Sequence, residues 1–302
     1  DKAITDMPFF SVIIPAHERP DLLLEAVDSV VKQTYPDFEV LVVYNDENVL
    51  PRSTFVDPRI RTFESRTHNR SAARNVGIKE AKGLYLCFLD DDDVYHPDLL
   101  KSFYDTLQRI GFPTDGVVRT GLLHCLPDHQ VVAGAVFKEE VHDSAIKFVL
   151  QNMTGVVSCC IPVKLAQSIA FDERFQYWED THFLLRILYG NQLVQMPNHF
   201  YHYRYHQNMG SLEVDDLKAQ CDANLAAIND YYQNHVSEWS GFVSPKIFRR
   251  LMAEKRLMYA IRAAKAKNKE LARNLFSQSL KDAWVASSWK EYLSFLIAYL
   301  KG

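Results

Sequence analysis

The chain lacks most features that would place it outside the ordinary soluble enzymes and binding domains. No stretch of its 302 residues approaches the roughly 20 apolar residues of a membrane-spanning helix. It has no basic run, and its net charge of −4 gives no reason to expect nucleic acid as a partner. The first residues lack the basic-then-apolar pattern of a signal peptide, although a chain opening on Asp1 could have lost one. Five cysteines (Cys87, Cys125, Cys159, Cys160 and Cys221) are an odd number without metal-ligand spacing. They read as reduced, mostly buried thiols of a cytoplasmic protein. Internal repeats and low-complexity tracts are also absent. What is present is 47% apolar and 24% charged residues, in a chain long enough for one large or two small well-buried cores.

The first two hundred residues alternate strand and helix patterns. Phe9 to Ile14 reads as a buried strand ended by Pro15, and Pro20-Asp21 opens a helix with Leu23, Val27, Val30 and Val31 at helical spacing. Phe38 to Val43 is a second apolar strand, so strand, helix and strand form a βαβ unit covered on both faces. A short strand at 60–63, a helix at 71–82 and a buried strand at 84–89 follow, and Pro97 is expected to open the next helix as its first residue. Two strands flank a turn between Gly116 and Phe137, and another helix starts near Glu179. This order predicts a doubly wound α/β fold, which binds ligands beyond the carboxyl ends of its strands. Beyond Glu213 the pattern is helical throughout, which sets a domain boundary near residue 212: 1–212 as the α/β domain and 213–302 as a helical region.

The strand at 84–89 runs into four aspartates, Asp90 to Asp93. Adjacent carboxylates repel, so full ionisation is costly unless a cation sits among them. Oxygen ligands of this type suit Mg²⁺ or Mn²⁺ bound together with substrate phosphates. An acidic turn favouring the following helix through its dipole accounts for the stretch equally well, and the two readings stand level here. A third reading, the aspartate nucleophile of haloacid-dehalogenase-type phosphatases, fails. That motif follows the first strand of its fold, whereas two or three strands precede this one, and no later acidic motif completes it.

Four stretches in order then carry a resemblance. "FFSVIIPAHERPDLLLEAVDSVVKQTYPDFEVLVV", "SAARNVGIKEAKGLYLCFLDDDD", "FDERFQYWEDTHFLLRIL" and "YRYHQNMGS" resemble successive elements of glycosyltransferase family 2, over about residues 9 to 211. The resemblance implies a GT-A fold, with a Rossmann-like, mostly parallel central sheet, followed here by the helical C-terminal region. It implies inverting transfer of a hexose-type sugar from a nucleoside-diphosphate sugar, a UDP-sugar by expectation, to a hydroxyl of a glycan or other acceptor, as in polysaccharide biosynthesis. Mn²⁺ or Mg²⁺ is the implied cofactor. Asp90-X-Asp92 matches the Asp-X-Asp motif, with Asp90 facing the ribose and joining the metal site, Asp92 ligating the metal and Asp91 supporting the donor. Asp180 matches the catalytic base, since a carboxylate can take the acceptor hydroxyl's proton as the bond forms, and Glu179 orients a sugar. Pro15, His17 and Asn45 match nucleobase contacts, Arg74 and Asn75 the donor-binding helix, Arg204 and Ser211 the diphosphate cover, and His206 the metal shell.

The chain departs from the family's pattern at the nucleobase. Ala16-His17-Glu18 stands where Thr-Tyr-Asn is usual, Tyr44-Asn45-Asp46-Glu47 where Asp-Asp-Gly-Ser is usual, and Thr67-His68-Asn69 where Asn-Gly-Gly is usual. The rival expectation is therefore a non-catalytic sugar-nucleotide or glycan-binding member of the same fold. His199 and His202 read as structural, and the 171–173 Phe-Asp-Glu as a structural turn. Lys and Arg alternate with apolar residues from Phe248 to Lys267, and "WKEYLSFLIAYL" closes the chain. Such helices pack on the catalytic domain, form a homodimer or rest on a membrane surface. The last of these would place the protein at the inner face of the membrane.

Overall fold

The computed structural model describes residues 7–45, 54–126, 130–134, 138–142, 145–152, 155–175, 177–205, 217–239, 245–282 and 289–301. The chain divides into two units, Asp1–His206 and Gln207–Gly302. The first contains, in order, β1 (Phe10–Ala16), α1 (Pro20–Val31), β2 (Phe38–Tyr44), β3 (Ile60–Glu64), α2 (Arg70–Glu80), β4 (Tyr85–Phe88), β5 (Val94–Tyr95) and α3 (Leu99–Arg109). It continues with β6 (Gly116–Cys125), β7 (Val131–Gly134), β8 (Glu140–His142), α4 (Ala145–Asn152), β9 (Cys159–Pro162), α5 (Val163–Ile169), α6 (Glu179–Ile187) and β10 (Gln192–Arg204). The second unit holds α7 (Leu217–Trp239), α8 (Pro245–Lys265), α9 (Lys269–Asp282) and α10 (Trp289–Lys301).

One sheet organises the first unit in the order β3-β2-β1-β4-β9-β6-β10-β5, with β7 beside β6 and β8 beside β10. β3, β2, β1, β4, β6 and β10 point one way; β9 and β5 run against them. The sheet is thus mostly parallel within a mixed α/β fold. Every residue of β1 and β2 is buried, as expected for strands covered on both faces. α3 buries Leu99, Leu100, Phe103 and Leu107, the stripe that a helix of 3.6 residues per turn presents to a sheet. Each such side chain contributes roughly 1.5–3 kcal/mol relative to exposure. All five cysteines are free and buried.

Two proline expectations need correcting. Pro15 does not end β1 but pairs with Val43 inside it. Ile13 faces β4, where its carbonyl accepts from the Leu89 amide at 3.0 Å, so Pro15, two residues on, faces the same side past the end of that ladder. Its missing N–H therefore costs no sheet hydrogen bond. Pro97 does not open α3 either: Asp98 is the N-cap and Leu99 the first helical residue. The Pro97 carbonyl instead accepts from the Thr34 amide at 2.9 Å, tying this turn to the end of α1.

Candidate active site at the carboxyl edge of the sheet

Parallel strands end on one edge, so whatever follows β1, β2, β4 and β10 gathers there. Register does the rest. Ala16 lies beside Tyr44 and Ile13 beside Phe88, which brings His17, Asn45 and the aspartates after β4 together. His17 Nδ1 lies 3.0 Å from Asn45 Oδ1, and its backbone N–H donates to Asp91 Oδ2 at 2.7 Å. β10 delivers Tyr201 and Arg204 to the same edge, where β5 runs back along it with Tyr95 beside Tyr201.

The four aspartates are not equivalent. Asp93 is buried, and both of its oxygens are engaged: the Tyr201 hydroxyl donates to Oδ2 at 2.6 Å and the Arg204 N–H to Oδ1 at 2.8 Å. Burial, with Asp92 and Asp90 nearby, pushes its carboxyl well above the ordinary range. Asp91 is also raised, to about 7, because burial outweighs the Arg19 guanidinium 3.5 Å away. Asp92 pairs with Arg19. Burial alone would raise Asp90 as well, but Arg74, Arg70 and Arg19 together hold it below the usual range. Arg74 donates to Asp90 Oδ1 at 2.9 Å.

Arg74 joins this cluster to a second one. Its other terminal nitrogen donates to Glu179 Oε1 at 2.8 Å, and Arg70 stands 3.8 Å from that same oxygen. The Arg74 side chain is 2% exposed and lies against the Phe171 ring. α2 carries it there because Asn69 caps the helix, accepting from the Ser71 and Ala72 amides at 2.7 and 3.2 Å. Glu179 and Asp180 form the first turn of α6, entered through Trp178 at φ 62°, a left-handed conformation unusual for a bulky residue. A helix N-terminus should favour an ionised carboxylate. Here burial wins, helped by the charge of Glu179, and Asp180 is raised to about 6. A carboxylate poised near neutrality, partly open and beside a cation-bridged acidic cluster, is chemically equipped to accept a proton.

Asp90, Asp92 and Asp93 each offer a carboxylate oxygen within 4.8 Å of the others. An all-oxygen set with excess negative charge fits a hard divalent cation. Asp93 has both oxygens engaged by Tyr201 and Arg204, whereas Asp90 and Asp92 are each held by an arginine that a divalent cation would compete with. Of the residues singled out in the sequence, Pro15, His17, Asn45, Arg74, Asp90, Asp91, Asp92, Glu179, Asp180 and Arg204 converge on this edge. Asn75 does not: its amide binds Phe171 and Glu173, anchoring the 171–174 turn to α2. His206 and Ser211, like Asp46 and Glu47, lie outside the described residues. Sequence reasoning missed Arg19 and Tyr201. Arg19 had a usable signal, a cation just past a buried strand whose parallel neighbour ends in aspartates. Arg204 is buried, donates to the Asp92 carbonyl at 2.6 Å and pairs with Glu25.

Comparison with known proteins bears on the sequence resemblance and on the fold. Residues 11–120 match glycosyl transferase family 2, so the resemblance read from the sequence is met across β1 to β6. A Rickettsia bellii protein described as an uncharacterized glycosyltransferase is 26% identical over 242 residues, covering 74% of this chain and 34% of that protein. The O-antigen biosynthesis protein RfbC of Myxococcus xanthus is 31% identical over 194 residues, covering 56% of this chain and 15% of its own length. The chain thus spans about a third or less of these relatives. The structure of S. aureus TarS 1-349 in complex with UDP-GlcNAc shares the fold, with a TM-score of 0.58 at 16% identity over 89% of this chain and 88% of that one.

Proposed function

We propose that this chain, whose residues 11–120 carry a glycosyl transferase family 2 segment, is a metal-dependent inverting glycosyltransferase using a UDP-sugar donor and a hydroxyl acceptor on a glycan. The observation that carries the reading is the Arg74 bridge. One buried guanidinium spans Asp90 and Glu179, linking a carboxylate cluster suited to a cation with a proton acceptor, Asp180, of raised pKa. A site for binding alone has no need of the second part. The solved TarS complex with UDP-GlcNAc, a protein of like fold, supports a nucleotide-sugar donor.

In this reading the acceptor hydroxyl donates its proton to Asp180 as its oxygen attacks the anomeric carbon from the face opposite the departing diphosphate. Proton transfer is concerted with bond formation because a neutral hydroxyl is a poor nucleophile. Glu179, fixed by Arg74 and Arg70, stands beside Asp180 and helps raise its pKa, which strengthens it as a base. Asp92 and Asp90 would hold the divalent ion, with His206 as a further ligand. When bound, that ion supplies charge neutralisation for the leaving diphosphate. By the family resemblance His17 and Asn45 would meet the nucleobase, and Arg204 and Ser211 the diphosphate.

The test is a panel of nucleotide-sugars with Mn²⁺, scored for donor-induced thermal stabilisation and for release of nucleoside diphosphate. Wild-type protein should do both with at least one donor, and Asp180→Asn should keep the stabilisation while losing release by at least about a hundredfold. Stabilisation without release under any acceptor mixture would make the protein a binding module. Undiminished release by Asp180→Asn would remove it as the base.

A further inference from the structure

The charge of the chain is unevenly divided. Residues 245–302 contain 13 Lys and Arg against 4 Asp and Glu, a surplus of nine positive charges in a chain whose net charge is −4. That stretch is α8, α9 and α10 of the second unit. α10 buries one face, where Phe295 stacks on Phe276 of α9 with ring centroids 4.1 Å apart. Its other face leaves Leu293, Leu296, Ile297 and Leu300 exposed by 44, 48, 46 and 80%. Their spacing of i, i+3, i+4 and i+7 makes one continuous stripe along the helix.

Cations flank this stripe on both sides. On one, Ser294, Ile297 and Ala298 share a groove of about 430 Å³ with Ile261, Lys265 and Lys267 at the end of α8. On the other, Arg273 of α9 donates to the Tyr299 hydroxyl at 2.8 Å, and Lys269 Nζ lies 6.0 Å above the same ring. Four apolar side chains between two pairs of cations form the arrangement that lies flat in a lipid interface, hydrocarbon inward and cations at headgroup level.

We propose that the α8–α10 face docks on the surface of an anionic lipid bilayer, the α10 stripe entering the interface while the flanking lysines and Arg273 meet the lipid phosphates. Charge decides among occupants. A second copy would bring one strongly cationic surface against another, and a nucleic acid would leave the leucine stripe in water. Anionic lipid satisfies both features at once.

The proposal is independent of any catalytic reading, and its test needs no donor. The full chain is sedimented with vesicles of phosphatidylcholine alone and of phosphatidylcholine with an equal part of phosphatidylglycerol. Binding should be confined to the anionic vesicles and should weaken steeply between about 0.1 and 0.5 M salt. Lys265→Glu with Lys267→Glu should weaken it by at least about fivefold per cation removed, and Leu296→Glu with Leu300→Glu should abolish it. All four positions are exposed, so the variants should keep the wild-type melting temperature. Failure to sediment with anionic vesicles, equal binding to neutral ones, or indifference to both double variants would overturn the proposal. So would a dimer in light scattering that Leu296→Glu with Leu300→Glu dissociates, or tighter binding to duplex DNA than to anionic vesicles.

Discussion

Arg74 is where structure and chemistry meet most tightly in this protein. Its side chain is 2% exposed and bridges Asp90 and Glu179; Glu179 is itself only 5% exposed. Arg74→Met removes the cation but leaves both carboxylates, and an uncompensated buried charge costs about 3–5 kcal/mol. Asp90 is partly open to water, so the lower end of that range is expected, read as a fall in the urea midpoint at unchanged m-value. Arg74→Lys should recover only part of it, since one ammonium cannot reproduce a planar two-armed bridge. Asp180 makes a prediction of a different kind. Its pKa is raised to about 6, and the base proposed above works only when deprotonated, so kcat/KM should fall tenfold per pH unit below about 6. Asp180→Asn should remove that limb along with the activity; an acid limb that survives in Asp180→Asn would assign it to another group. Arg19, paired with Asp92 and close to Asp91, neutralises charge that a divalent ion would also neutralise. Arg19→Gln should therefore tighten Mn²⁺ binding in calorimetry without donor, and weaker binding would mean that Arg19 supports the site rather than competes for it.

α2 places Arg74, and it can do so because Gly77, one turn later on the same face, lets the helix approach β1. A Cβ on Gly77 would stand 2.5 Å from Ile13 Cγ2 and 2.8 Å from Ile13 Cδ1, inside van der Waals contact. Gly77→Ala gains helix propensity of about 1 kcal/mol but forces overpacking of about 1–3 kcal/mol. A net loss in stability is expected, together with reduced donor-induced stabilisation as Arg74 shifts; a melting temperature above wild type would show that α2 has room to spare. Asn69→Ala should cost about 0.5–2 kcal/mol through loss of the α2 cap, with a further loss from its 3.0 Å hydrogen bond to the Glu173 carbonyl. β1, β2 and β4 were legible in the sequence because strands buried on both faces are written as unbroken apolar runs. β5 was not, because two residues give no period to read. Nor could the sequence tell that Pro15 falls past the β4 ladder, since that depends on which neighbour is the shorter. The acidic cluster was legible as a cluster. The division of labour within it was not, because Tyr201 and Arg204 arrive from a strand more than a hundred residues away.

The charge asymmetry escaped a local reading for a related reason: no run of basic residues exists, and the surplus of nine emerges only when residues 245–302 are summed together. Each unit has its own set of buried apolar side chains. The core cluster under the sheet draws every member from between Phe10 and Tyr201. The second unit buries its own set, including Ile228, Tyr231, Leu257, Tyr259 and Leu275. A domain that keeps its own core should fold alone. We therefore expect a fragment of residues 1–216 to unfold in one cooperative transition and to retain the thermal stabilisation that a nucleotide-sugar with Mn²⁺ gives the full chain. The same fragment lacks both the stripe on α10 and its flanking cations, so it should remain in the supernatant with anionic vesicles. These two readouts separate the roles of the units. A fragment that melts without a transition would mean that the helices complete the catalytic core, and a folded fragment that still sediments would move the lipid-binding surface onto the α/β unit.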